Sequence, residues 1–208
     1  MVVVEIQLQM DWCSAYNGFD IQDKRGEVAG VCWESSVMAM SSLIRRKQLE
    51  RQAEGYLELG MPRHALEALD RVGGTNSLGS RGLFLRGEAL RELHRYQEAL
   101  GPLEKAAEAA PDAIEIWMSL GWCYKRVGRI DRAVEAMERG LEAEPDRPVL
   151  HYNLACYLSL AGRKARALVH LARAFELDAS FRLLADREPD FDPIRADPEF
   201  QALLALGV

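Results

Sequence analysis

No apolar run in this chain approaches the ~20 residues that a membrane-spanning helix needs, so no span is expected. The opening Met-Val-Val-Val-Glu lacks the basic start and small-residue cleavage site of a secretory leader. Cysteine is scarce: Cys13, Cys32, Cys123 and Cys156 form no Cys-x-x-Cys pair, which offers neither a zinc site nor a redox motif. A reducing, cytoplasmic setting is the resulting expectation. Basic charge is also short. Lysine and arginine number 26 against 32 acidic residues, a net charge of −6, which argues against nucleic acid or an anionic membrane as the main partner.

Catalytic signatures are missing too. There is no Gly-x-Ser-x-Gly, no His-Glu-x-x-His and no Gly-x-x-x-x-Gly-Lys-Ser/Thr. The nearest approach to a phosphate loop, from Gly73 to Gly82, lacks the lysine and follows a helical pattern, so it reads as a linker. The four histidines, His64, His94, His151 and His170, are scattered without a second ligand at helical spacing. No enzyme activity, cofactor or metal is expected. Cys123 and Cys156 read first as small hydrophobes.

What is present is a period. Trp117, Leu120, Gly121 and Tyr124 fall at i, i+3, i+4 and i+7, one face of a helix, and Gly128 then breaks it. A second helix runs through Ala133, Val134, Met137 and Leu141, and Pro145 ends the unit. Gly121 and Ala133 are small where two helices must approach closely. Shifting the pattern by 34 residues finds it again at His151, Leu154, Ala155, Leu158, Gly162 and Ala167. Upstream it recurs at Leu83, Gly87, Leu90, His94, Ala99 and Pro111, and again at Leu49, Ala53, Tyr56, Gly60 and Ala65. Four units follow, at 46–79, 80–113, 114–147 and 148–181, within a repeat region from 41 to 181. Repeat arrays bind other proteins far more often than they catalyse.

These motifs resemble the tetratricopeptide repeat family, most closely in Trp117-Met-Ser-Leu-Gly-Trp-Cys-Tyr with Gly128, Ala133 and Pro145. The resemblance implies an all-α fold: a right-handed superhelix, or α-solenoid, of about four antiparallel helix pairs with a concave inner face. Departures are Gln52 and Arg86 at places usually held by leucine, and His94 where the other units have glycine. Histidine tolerates left-handed φ better than most residues, so that turn is expected to survive. Residues 182–208 read as a helical cap over the last repeat, with Asp192-Pro193 and Asp197-Pro198 as helix starts. This ending is similar to that of many bacterial proteins of the family. Residues 1–40 differ. Val2, Val4, Ile6, Leu8 and Met10 alternate with their neighbours at a strand period, and Asn17-Gly18 signals a hairpin. Three readings of this segment stand open: a small strand pair, poor order, or a stretch upstream of a true start at Met38 or Met40.

The expected function is a non-enzymatic adaptor or scaffold that holds a peptide or helix of a partner protein. Self-assembly, or service as a regulatory subunit of an enzyme encoded elsewhere, is the alternative. The groove residues lie off the pairing face: Phe84 and Glu88, then Met118, Trp122, Lys125 and Arg126, then Tyr152, Asn153 and Cys156. Trp122 stands out, because an aromatic off the core face is a common binding anchor. One subset of the family clamps the carboxylate of chaperone tails with inner-face cations. Here the matching places hold Glu50, Glu54, Leu85, Glu115 and Ser119, or one repeat later Phe84, Glu88, Ser119, Val149 and Asn153, so that clamp is not expected. Arg95, Arg129 and Arg163 share one register, and Arg132 and Arg166 another. They should form a basic edge, with Glu108, Glu142 and Glu176 as an acidic one. That edge reads either as a solvated face or as a docking rim for an acidic partner.

Overall fold

The computed structural model describes residues 29–74 and 77–205, with side chains from residue 39 onward. The chain divides into two units, 1–43 and 44–208. Of the first, residues 29–43 are helical. The strand period at Val2–Met10 and the Asn17-Gly18 turn lie outside the described residues. Helix α1 spans Ala29–Glu58 and so begins earlier than the sequence pattern suggests. Residues 29–40 contain no proline and only Gly30, so nothing in them stops a helix.

The second unit is built from helix pairs. The end of α1 is followed by α2 (Pro62–Asp70), then α3 (Ser80–Glu92) with α4 (Tyr96–Ala109), α5 (Ile114–Arg126) with α6 (Ile130–Ala143), and α7 (Pro148–Leu160) with α8 (Lys164–Leu177). Each helix from α3 packs on its pair mate and on the next helix in the chain. The described residues contain no strand. None of their helices is long and apolar enough to cross a membrane.

The turn inside each pair has one construction. Gly60, Gly128 and Gly162 take φ of +67°, +76° and +72°, and His94 takes +59°. In every case the residue in left-handed φ donates its N–H to a carbonyl three back, and the next residue reaches a carbonyl five back. In the third pair these are Gly128 to Lys125 (3.0 Å) and Arg129 to Tyr124 (2.8 Å). In the second they are His94 to Arg91 (3.0 Å) and Arg95 to Leu90 (2.9 Å). These two hydrogen bonds satisfy orphan carbonyls of the first helix and fix the chain reversal. His94 holds the position without being glycine, and its Nδ1 lies 2.7 Å from the Tyr96 hydroxyl.

Close approach of pair mates explains the small residues. A Cβ on Gly121 would lie 2.6 Å from Met137 Cε, and one on Gly87 would lie 2.4 Å from Leu103 Cδ2. Ala99, Ala133 and Ala167, at the matching place of the second helices, are fully buried. The two unusual residues at leucine places turn polar contacts outward. Arg86 pairs with Asp70 at 2.5 Å, and Gln52 accepts from Arg71 Nη1 at 3.4 Å.

Past α8 come α9 (Phe181–Ala185), a 3-10 segment (Pro189–Ile194) and α10 (Pro198–Ala205). Asp197 caps α10, accepting from Glu199 N at 2.9 Å, as Asp197-Pro198 suggests. Asp192-Pro193 does not start a helix. The start moves back to Pro189, where the Glu188 side chain accepts from Asp190 N. Phe191 and Phe200 are fully buried, with ring centroids 5.5 Å apart, and they cover the last pair.

Candidate interaction surfaces

The first helices of the pairs present Phe84 and Glu88 from α3, Met118 and Trp122 from α5, and Tyr152 and Cys156 from α7. These matched places meet three different fates. Trp122 is 41% exposed. The Arg126 guanidinium lies over its ring at 5.9 Å and over the Tyr96 ring at 5.2 Å, so one cation bridges two aromatic rings. Met118 and Phe84 are half-buried against the core. Glu88 is taken by Arg91, which donates two bonds to its carboxylate at 3.0 and 2.8 Å.

The fourth repeat corrects the groove expected from sequence. Tyr152 and Cys156 are buried, at 6% and 3% exposure. The 3-10 segment packs on α7, and the Tyr152 ring meets Phe191 edge-on at 5.8 Å and Phe181 at 4.9 Å. Lys125 is half-buried: its Nζ pairs with Asp190 of the same segment, itself buried, and also lies over the Trp122 ring at 5.5 Å. The covering segment lies 65 residues downstream of Lys125, beyond the reach of any local pattern. Asn153 is half-buried. Burial also raises the two thiols, Cys123 to about 11 and Cys156 well above its ordinary range, so both rest as neutral packing groups.

The arginines of the basic edge are mostly paired within the chain. Arg95, just before α4, bonds Glu98 of that helix at 2.6 Å, and Arg132 bonds Glu135 of its own helix at 2.7 Å. Arg163 crosses to Asp131 at 2.6 Å and Arg166 to Glu138 at 2.5 Å, tying the fourth repeat to the third. Arg129 is exposed in the same register. Four of the five cations are thus compensated. Exposed pairs of this kind contribute little each, so they settle register more than stability. On the acidic side, Glu142 takes Arg139 and Glu176 takes Arg173, both at 3.0 Å.

A feature the sequence reading missed lies on the opposite face. Between the second helices α4 and α6 is a cleft of about 690 Å³, floored by Trp117, Leu120 and Tyr124 and walled by Glu104, Glu108, Asp112, Arg132, Glu135 and Arg139. The Trp117 indole N–H donates to Pro111 O at 2.7 Å. The Tyr124 hydroxyl donates to Glu104 at 2.6 Å, and burial first, then that bond, pushes its pKa up to about 12. The available signal is the two large aromatics at 117 and 124, which the period assigns to the pairing face.

Models of the Tetratricopeptide repeat match residues 50–114 and 90–155. The chain belongs to the tetratricopeptide repeat family. Proteins of this family are generally interaction modules rather than enzymes. No curated protein matches the chain by sequence. Among solved structures it is similar to MamA AMB-1 at 20% identity and a TM-score of 0.62, covering 81% of this chain and 92% of that one. MamA from Desulfovibrio magneticus RS-1 (41-end) aligns at 19% identity and TM-score 0.59, over 78% and 94%. YrrB, described as a tetratricopeptide protein with an unusual peptide-binding site, aligns at 21% identity and TM-score 0.58, over 65% and 71%. At these identities the likeness concerns the fold.

Proposed function

We propose that this tetratricopeptide protein is an adaptor or scaffold that holds a peptide or helix of a partner on its first-helix face, over the second and third repeats. Exposed Trp122 carries the reading. It sits off the pairing face, and Arg126, stacked on it, leaves its guanidinium edge for a polar contact. Phe84 and Met118 extend the apolar ground toward the second repeat, and Asn153 bounds it. The working stretch is shorter than four repeats, because the protein's own Phe191 and Asp190 take the places over Tyr152 and Lys125. That YrrB is described as binding peptide on the same fold supports the general class.

The test is capture of partners from cells on the full chain and on Trp122→Ala. Loss of more than ~2 kcal/mol of affinity for a recovered partner, the scale of a hot-spot residue, is the expected result. Equal capture by both proteins sinks the reading. Exposed Leu183 and Leu184, 78% and 55% exposed on α9, favour self-assembly through the cap as a second reading. Mass by light scattering, compared between the full chain and Leu183→Asp/Leu184→Asp, decides it: a mass above one chain that falls in the variant supports self-assembly.

A further inference from the structure

The second helices carry a carboxylate at one register, where each faces the following repeat: Asp70, Glu104 and Glu138, spaced by 34 residues. Two of the three receive a guanidinium. Arg86 bonds Asp70 at 2.5 Å, and Arg166 bonds Glu138 at 2.5 Å. The middle one does not receive the matching arginine. Arg132, which stands one repeat before Arg166, turns to Glu135 on its own helix, and Glu104 accepts the neutral Tyr124 hydroxyl instead.

A second pair repeats the contrast. At the last junction Arg173 crosses to Asp146 at 2.7 Å. Its counterpart Arg139 turns back to Glu142 at 3.0 Å, and Asp112, the counterpart of Asp146, goes without it. The space itself differs as well. His151 and His170 stack at the last junction, with centroids 5.2 Å apart and their Nδ1 atoms at 3.0 Å. The middle junction has Trp117 in place of His151 and Ala136 in place of His170. Ala136 is too small to fill the space, and the cleft of about 690 Å³ opens there over Trp117.

We propose that this cleft takes arginine side chains from a basic segment of a partner protein, which supply to Glu104 and to Asp112 the guanidiniums that the chain itself supplies, from Arg166 and Arg173, at the neighbouring junction. A planar guanidinium suits both parts of the cleft. It bonds carboxylates in a fork and stacks on an indole face, where a compact ammonium does less well. The site is on the opposite face from Trp122, so it is independent of the groove reading.

The experiment uses a fluorescent 12-residue peptide of alternating arginine and alanine, followed by anisotropy at low and at 0.5 M salt, at pH 8. The full chain should bind it. Ala136→His, which copies the residue that closes the next junction, should weaken binding about tenfold without changing net charge at this pH. Glu104→Gln should weaken it by a similar factor, and Trp122→Ala should leave it unchanged. Equal binding by Ala136→His and the parent would mean attraction to the chain's overall −6 charge, and overturns the proposal. So does loss of binding in Trp122→Ala, or equal affinity for a control peptide of the same length that alternates lysine and alanine. If Ala136→His does not fold, half-exposed Glu104→Gln still decides: unchanged affinity in that variant overturns the assignment.

Discussion

Thirty-four residues separate Trp122 from Cys156 and Ala136 from His170. In both pairs the third repeat leaves open what the fourth closes. On the first-helix face, Trp122 meets solvent while Cys156 and Tyr152 lie under the 3-10 segment. On the second-helix face, Ala136 leaves a cleft over Trp117, whereas His170 stacks on His151. The frame beneath is the same. Trp117 Nε1 donates to Pro111 O at 2.7 Å, and His151 Nε2 lies 2.8 Å from Pro145 O, at the matching places. A repeat therefore conserves its turn and its pairing face while each outward face is free to be occupied or left open. Stability near the end of the array comes from the cap, and available surface lies in the middle.

The largest test of this contrast is Phe191→Ala. Phe191 is fully buried between Tyr152 and Phe200, so removing it should cost about 3–5 kcal/mol, the range for deleting a core aromatic. Chemical denaturation measures this, and a cost below ~1 kcal/mol would mean that the segment merely rests on α7. Next is Gly121→Leu. The third repeat has glycine where the fourth has buried Ala155, and even a Cβ there would meet Met137 Cε at 2.6 Å. Overpacking should destabilise by about 1–3 kcal/mol, read from the shift of the melting temperature. An unchanged melt would place the pair contact elsewhere.

A third test separates the last junction from the middle one by pH. Burial first, then His151 and then Arg166, lowers the pKa of His170. Below the ordinary histidine value of about 6.5 the unfolded chain therefore binds protons that the folded chain resists. Stability should be fully present above that value and fall as pH drops through it toward the folded value. His170→Ala, which gives the fourth repeat the residue found in the third, should flatten that slope between pH 7.5 and 5 while lowering stability at neutral pH. Parallel slopes for the two proteins would assign the acid sensitivity to other groups. The smallest effect is expected for Trp122→Ala, under ~1 kcal/mol in a melt, because much of its surface already meets water. A loss as large as that of Phe191→Ala would make Trp122 part of the core and erase the contrast.

The sequence by itself determined the frame. A residue able to take left-handed φ at 60, 94, 128 and 162, small residues at 87 and 121, and apolar faces at helical spacing fix four turns and the close approach of pair mates. These are local effects of backbone conformation and of side chains within a turn or two, so a 34-residue window contains their causes. The tertiary structure alone decided which faces stay open. Tyr152 and Trp122 look alike as aromatics off the pairing face, and only the return of residues 181–194 onto α7 separates them. Arg132 and Arg166 share a register, yet one bonds along its own helix and the other across the junction. Long side chains have several carboxylates within reach, and the neighbouring space differs as well, with Ala136 in one junction and His170 in the other. That space is shaped by elements far apart in the chain, which is why no reading of period and spacing supplies it.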